Sequence, residues 1–109
     1  MFKKKFIILG HRGAPKYFRE NTIQSFKEAI KQGVDGLEID VQKTLDGVVL
    51  IHHDDYLRDN KTKIKNSNLK KIKKIQNQKD LNHLEEIKKF LKKIKILNIE
   101  IKSSGIFNN

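Results

Sequence analysis

The segment "GLEIDV", from Gly36 to Val41, alternates apolar and acidic residues. A period of two is typical of a β-strand with one buried face, so its three apolar residues are predicted to share that face. Glu38 and Asp40 then share the opposite face. A carboxylate that points inward from a strand is costly to bury unless it is paired or binds a metal ion. The segment therefore predicts both a central strand and a site beside it.

The residues after this strand predict a hairpin. Asp46-Gly47 between extended segments is a strong turn signal, so Val48–His53 is predicted to run antiparallel to the preceding strand. A two-residue loop would place Asp40 opposite His53, and directly opposed residues point to the same face. On this register His53 joins the two carboxylates, whereas His52 lies on the other face.

Strands and helices are also predicted on either side of this hairpin. Phe6–Leu9 has the pattern of a short, fully buried strand. Asn21 or Thr22 can cap a helix over residues 22–32, and Gly33 suits the left-handed position that ends it. The segment "ILNIEIK", residues 96–102, predicts a last strand that carries Asn98, Glu100 and Lys102 on one face.

The region between the hairpin and the last strand is rich in lysine and asparagine. It predicts a long loop with one helical piece around Leu69, Ile72 and Ile75. A clearer amphipathic helix, with a lysine-rich outer face, is predicted from the apolar residues Leu84, Ile87, Leu91 and Ile94.

Length and composition narrow the class of protein. The chain has 109 residues, whereas a complete α/β barrel needs about 250. Net charge is +11, but the lysines are spread along the chain without the aromatic residues that stack on bases, so no nucleic-acid partner is predicted. There is no cysteine, which excludes disulfides and thiolate metal sites. Apolar runs are too short for a signal peptide or a membrane span, so a soluble cytoplasmic protein is predicted.

Polar groups recur on one face or at the carboxyl end of every predicted strand. Three inward carboxylates predict an oxygen-ligand site for Ca²⁺ or Mg²⁺. Two histidines nearby suit acid–base chemistry near neutral pH, and the positively charged side chains of Arg12 and Lys102 suit a phosphate. Together they indicate metal-assisted cleavage of a phosphate ester. The residues are His11, Arg12, Glu38, Asp40, His53, Glu100 and Lys102.

The combined motif pattern resembles the glycerophosphodiester phosphodiesterase family. The similarity runs from about Phe6 to Ser103, nearly the whole chain, and is specific as a set although each piece alone is weak. The motifs are "HRG" at His11–Gly13, "ENT" at Glu20–Thr22, "SF" at Ser25–Phe26, "GLEIDV" at Gly36–Val41, "T-x-DG" at Thr44–Gly47, "HD" at His53–Asp54 and "NIEIK" at Asn98–Lys102.

The resemblance implies an α/β fold, the N-terminal half of a distorted (β/α)₈ TIM-type barrel with about four strands, so that residues 1–109 form one partial domain. It implies a divalent metal and hydrolysis of small-molecule glycerophosphodiesters to glycerol 3-phosphate and an alcohol. Matched by motif, the metal ligands would be Glu38, Asp40 and Glu100, the acid–base pair His11 and His53, and the phosphate-binding residues Arg12 and Lys102.

Local departures from the family pattern affect loops. Arg19 stands where the family usually has proline, "LRD" at Leu57–Asp59 inverts a family pair, and Asn82 and His83 are substituted. The larger departure is length, which predicts a truncated or split enzyme, with a second polypeptide as the partner that would complete the barrel. An inactive remnant, or a small basic binding module without turnover, is the alternative.

Overall fold

A computed structural model describes residues 6–102 of the chain. These residues form five strands, two α-helices and three 3₁₀ segments. The strands are β1 (Leu9–His11), β2 (Gly36–Lys43), β3 (Val49–Ile51), β4 (Asn82–His83) and β5 (Ile96–Ile101), the α-helices are α1 (Ile23–Lys31) and α2 (Leu69–Ile75), and the 3₁₀ segments are Ile64–Asn66, Gln78–Asp80 and Leu84–Phe90.

Strand β2 is the centre of the sheet. Strands β1 and β5 both pair with it in parallel at Gly36–Glu38, so they lie on its two opposite edges. Strand β3 pairs antiparallel with the far end of β2, beyond β1 on the same edge, and β4 extends that arm. The four predicted strands correspond to β1, β2, β3 and β5. All three parallel strands therefore end near the same place.

The hairpin register differs from the predicted one by one residue. Thr44 donates its N–H to the carbonyl of Val48 at 2.8 Å, and Gly47 has φ of 87°. The loop thus has three residues, a form in which a glycine takes the left-handed position. Val41 lies opposite Ile51.

This shift changes which histidine is the neighbour of Asp40. The N–H of His52 donates to the Asp40 carbonyl at 2.8 Å. The predicted pairing of Asp40 with His53 is therefore wrong, as is the placement of His52 on the other face with Val41. His53 lies beyond the end of β3, where strand alternation no longer determines its direction.

Helix α1 is one residue shorter at each end than the predicted 22–32, and one of its two predicted caps is confirmed. Thr22 is the N-cap, and its hydroxyl accepts the Ser25 N–H at 3.3 Å. The helix ends at Lys31, and Gly33 follows with φ of 89°, as the left-handed position requires.

The main core lies between the outward face of the sheet and the helical layer. The rings of Phe26 and Phe90 meet edge to face, with centroids 6.2 Å apart. The predicted amphipathic helix is here a 3₁₀ segment, because Leu84, Ile87 and Phe90 recur at a spacing of three, which aligns them in that helix type. Leu91, assigned to the buried face, is 47% exposed. The buried members of this core are Phe26, Ala29, Leu37, Ile39, Val41, Ile51, Ile87 and Phe90.

A second, smaller core lies against the other face of the sheet. It joins Leu50 of β3 to Leu57, Ile64 and Ile72, all almost fully buried. The predicted helical piece is confirmed as α2, whose Ile72 contributes to this cluster. The long loop between β3 and β4 is thus a packed insertion beside the carboxyl end of β2.

The first strand begins later than predicted. Phe6, Ile7 and Ile8 are 66%, 61% and 44% exposed, so the prediction of a fully buried strand at Phe6–Leu9 is wrong for these three residues. Strand β2 begins only at Gly36, opposite Leu9, and Ile8 bonds to the turn before it, since its carbonyl accepts the Asp35 N–H at 2.8 Å. The strand instead continues to His11.

Candidate active site

Three carboxylates converge at the carboxyl ends of β2 and β5. Glu38 and Asp40 are two residues apart on β2, and parallel pairing places Glu100 of β5 directly beside Asp40. One oxygen of each lies within 4.8 Å of the others. Two oxygens on opposite sides of a Ca²⁺ ion are about 4.6–5.2 Å apart, since each lies about 2.3–2.6 Å from the metal. The predicted ligand set is thus brought together at a spacing that fits a cation.

Two oxygens of this cluster are buried without a hydrogen-bond partner. Within residues 6–102, neither Oε2 of Glu38 nor Oδ1 of Asp40 has one. Asp40 is fully buried, and burial, reinforced by the Asp40 charge, raises the pKa of Glu38. Buried carboxylate oxygens that lack donors are costly, and a hard divalent cation offsets that cost. The residues fit a divalent metal.

Arg12 links the cluster to the loop before α1. Its Nε lies 3.2 Å from Oδ2 of Asp40, and its Nη1 lies 3.3 Å from Oε1 of Glu20. The backbone turns sharply here, with φ of 59° at Arg12 and 92° at Gly13. The guanidinium predicted to bind a phosphate is therefore held between two carboxylates at the edge of the site.

His11 stands at the end of β1 beside the same cluster. Its Nε2 lies 3.5 Å from Oε2 of Glu38, and its side chain is 66% exposed. Parallel pairing of β1 with β2 sets His11 directly opposite Glu38. An exposed imidazole against a buried carboxylate can exchange protons with a bound ligand.

His53 lies in a second group of potential ligands. One of its ring nitrogens, a carboxylate oxygen of Glu20 and one of Asp54 are within 4.8 Å of each other. Its Nδ1 lies 2.9 Å from Oδ1 of Asp54, and this contact lowers the pKa of Asp54. Arg12 connects the two groups, since it contacts Asp40 in one and Glu20 in the other.

Lys102 completes the predicted set. Its Nζ lies 3.0 Å from Oε1 of Glu100, and this hydrogen bond raises the pKa of Lys102. Lys102 and His53 also line one polar cavity of about 670 Å³, a volume in the range of small-molecule sites. The other residues around this cavity include Arg19, His52, Tyr56 and Arg58.

Sequence reasoning missed two buried amides that support the site. Asn21, predicted only as a candidate helix cap and as part of the "ENT" motif, donates to Oδ2 of Asp40 at 3.0 Å. The Nε2 of Gln42, which carries two hydrogens, lies 2.7–3.3 Å from the carbonyl oxygens of residues 52–54 and donates among them. The signal for Gln42 was present, because a period of two carries the inward face from Glu38 and Asp40 to Gln42. For Asn21 the signal was its place in the "ENT" motif, which gave no indication of a contact with Asp40.

Comparison with known proteins places this geometry in a family. The sequence model of the glycerophosphoryl diester phosphodiesterase family matches residues 11–105. The chain belongs to that family. A glycerophosphodiester phosphodiesterase from Caldanaerobacter subterraneus is 40% identical over 74 residues, which cover 65% of this chain and 30% of the relative.

Solved glycerophosphodiester phosphodiesterase structures share the fold. The enzyme from Thermotoga maritima matches with a TM-score of 0.73 and 32% identity, over 92% of this chain and 46% of its own. A phosphodiesterase from Oleispira antarctica, solved with its product sn-glycerol-3-phosphate, matches with a TM-score of 0.74 and 31% identity, over 90% of this chain and 45% of its own.

These matches confirm the predicted fold class, part of a TIM-type (β/α)₈ barrel. Strands β1, β2 and β5 are its parallel strands, and the chain spans about half the length of these solved relatives. No helix within residues 6–102 has the length and apolar character needed to cross a membrane.

Proposed function

We propose that this chain carries the metal-binding and acid–base groups of a phosphodiesterase that hydrolyses glycerophosphodiesters to glycerol 3-phosphate and an alcohol. The observation that carries the proposal is the convergence of Glu38, Asp40 and Glu100, with two buried oxygens that make no hydrogen bond within the described residues. Family membership and the product complex of the Oleispira relative support the substrate class.

The carboxylates would hold a divalent ion, Ca²⁺ or Mg²⁺. A bound cation would supply positive charge close to the phosphoryl oxygens and neutralise charge that develops at phosphorus. Lys102, at the rim of the 670 Å³ cavity, would contact a phosphoryl oxygen directly. Arg12 would contribute its charge from a position already fixed by Glu20 and Asp40.

The two histidines would move the protons. In hydrolysis, water adds to phosphorus while the bond to the alcohol oxygen breaks, so one proton leaves the water and one reaches the alkoxide. His11 and His53 would serve as base and acid, one on each side. The contact of His53 Nδ1 with Asp54 favours the tautomer that carries its proton there, which leaves Nε2 for the substrate.

Metal binding is tested by calorimetric titration of Ca²⁺ and Mg²⁺ into residues 1–109. We expect wild type to bind a divalent ion and Asp40→Asn to lose at least tenfold in affinity, since a buried anionic oxygen is removed. Glu85→Gln is the matched control, because it removes an exposed carboxylate that does not belong to the cluster. Equal affinities for wild type and Asp40→Asn would overturn the site assignment.

Turnover is tested by release of glycerol 3-phosphate from glycerophosphocholine. In an active form, His11→Ala and His53→Ala should each lower the rate by about 10²-fold or more, as expected for lost acid–base groups. His83→Ala on β4 is the control and should retain the rate. Metal binding without any turnover, even with a polypeptide added that completes the barrel, would favour the inactive remnant.

The second polypeptide predicted from the length would complete the sheet at β5. An apolar groove of about 480 Å³ lies on the outward face of this strand, lined by Val49, Ile87, Leu91, Leu97 and Ile99 among others. Within the described residues, no strand pairs with β5 besides β2. A further strand, in the same chain or in another, would pair with the second edge of β5, and the helix that follows it would fill the apolar groove. The cytoplasmic location stays a prediction.

A further inference from the structure

Gln42 is the third inward residue of β2, after Glu38 and Asp40. Its side chain is almost fully buried, with 4% of the residue exposed. Its Nε2 lies 2.7 Å from the carbonyl oxygen of Asp54, 3.1 Å from that of His52 and 3.3 Å from that of His53. Three successive carbonyls therefore converge on a single amide nitrogen.

The segment held in this way is the one that carries His53. Strand β3 ends at Ile51, and the N–H of His52 still bonds to β2, but the next residues follow no strand ladder. These contacts are part-buried, and backbone carbonyls that lose water beside a sheet are costly without a donor. Gln42 is that donor.

The chemistry of the contact specifies an amide. Three carbonyl oxygens repel another oxygen, so only the nitrogen end of the Gln42 side chain can face them. A carboxylate of the same shape would be repelled, and an apolar side chain would leave the carbonyls unsatisfied.

We propose that Gln42 is a positioning residue that fixes His53 relative to the carboxylate cluster. The inference rests on the proposed role of His53 in proton transfer. Residues two apart on a strand are about 6.6 Å apart along its axis, so β2 sets one fixed spacing from Glu38 and Asp40 to Gln42. Gln42 transmits that spacing to the backbone of His53, whose ring then meets Asp54 at 2.9 Å. A single strand thereby places both the metal ligands and the histidine.

The test compares Gln42→Met, which has similar length and volume but no donor, with two controls in the 109-residue chain. Asn68→Ala removes the N-cap of α2, so it lowers stability without contact to residues 52–54. Gln24→Met replaces an exposed glutamine on α1. The readouts are the Cε1–H resonance of His53, assigned with His53→Gln, the affinity for Ca²⁺, and kcat and KM for glycerophosphocholine.

We expect Gln42→Met to shift or broaden the His53 resonance and to lower kcat at least tenfold, with KM and Ca²⁺ affinity within about twofold of wild type. Neither control should move the His53 resonance. An unchanged His53 resonance in Gln42→Met, or an equal change in Asn68→Ala, would overturn the proposal. A wild-type chain that neither binds Ca²⁺ nor shows turnover would contradict the proposed function, and the His53 resonance would still decide the role of Gln42.

Discussion

The side-chain amide of Asn21 donates to Oδ2 of Asp40 at 3.0 Å, and its Oδ1 faces the Asp40 N–H at 3.5 Å. The two residues are 19 positions apart, on a loop and on the central strand. Asn21 makes this contact with φ of 57°, in the left-handed region, where asparagine is tolerated better than most residues. Asn21 therefore both forms the turn before α1 and donates a hydrogen bond to a buried carboxylate.

Substitutions at Asn21 separate these two contributions. Asn21→Gly keeps the left-handed backbone but removes the amide, so it should weaken Ca²⁺ binding and destabilise the fold by about 1–3 kcal/mol. Asn21→Ala should cost about 1 kcal/mol more, because alanine is strained at this φ. Denaturant unfolding and calorimetry measure both effects. At exposed Asn60, with φ of 60°, only the backbone difference between glycine and alanine should appear.

Glu38→Gln should have opposite effects with and without metal. Burial raises the pKa of Glu38 above its ordinary value of 4.5, so the metal-free folded state holds a proton that the unfolded chain has released. As pH rises from about 4.5 to the raised pKa, ionisation of Glu38 therefore lowers the stability of the metal-free fold. In chelator at about pH 7, Glu38→Gln should melt higher than wild type, and below about pH 4 the difference should vanish.

With saturating Ca²⁺ the order should reverse, because the variant lacks one ligand oxygen charge. Differential scanning calorimetry in the two buffers measures this, and Glu85→Gln serves as the control for an exposed carboxylate. If the variant were less stable than wild type in chelator, the buried charge of Glu38 would not destabilise the metal-free fold, and the prediction would be wrong.

Stability should also depend on pH through His52. Burial lowers the pKa of His52 below 6.5, so below that pH the unfolded chain binds a proton that the folded chain excludes. Stability is therefore complete above about pH 6.5 and falls as pH drops toward the lowered value. His52→Gln should flatten the pH dependence of the melting temperature between about pH 7 and pH 5. An unchanged slope would contradict the burial of a neutral ring.

Two glycines should respond very differently to alanine. A Cβ at Gly36 would lie 2.1 Å from the carbonyl oxygen of Ile96, so Gly36→Ala must separate β2 from β5. We expect a loss of about 3 kcal/mol or more, or no cooperative unfolding. Gly47 has φ of 87° but open space around it, so Gly47→Ala should cost only about 1 kcal/mol. Similar losses in the two variants would contradict the close β2–β5 contact.

The exposed edge of β5, with the apolar outward face beside it, should make the 109-residue chain self-associate. Ile101 is 49% exposed at the end of this strand, next to the apolar groove. An exposed apolar strand edge pairs readily with another chain. Light scattering of residues 1–109 should give a mass above that of a monomer, and Ile101→Lys should reduce it. A cooperatively folded monomer with substantial turnover would show that the described strands suffice.

Local patterns in the sequence predicted both α-helices and four of the five strands, together with the ligand types. Alternation in "GLEIDV" fixed which residues of β2 face outward, because side chains on a strand alternate between faces whatever surrounds it. Thr22 and Gly33 fixed the ends of α1 through capping and positive φ. The three carboxylates could be grouped because parallel strands bring their carboxyl ends to one edge of the sheet.

Register and contacts across the chain were decided only by the tertiary structure. Whether the hairpin loop has two or three residues depends on packing, since Leu45 donates to Ser67 and Asp46 accepts from Leu69, both in the distant insertion. The additional loop residue shifts the register by one, and a shift of one moves every side chain of a strand to the opposite face. His52 therefore lies beside Asp40, where a two-residue loop would have placed His53. The hydrogen bonds from the Asn21 and Gln42 side chains likewise join segments that are distant in the sequence. A carbonyl or carboxylate without a partner becomes costly only when the fold removes it from water, so the sequence alone does not indicate these contacts.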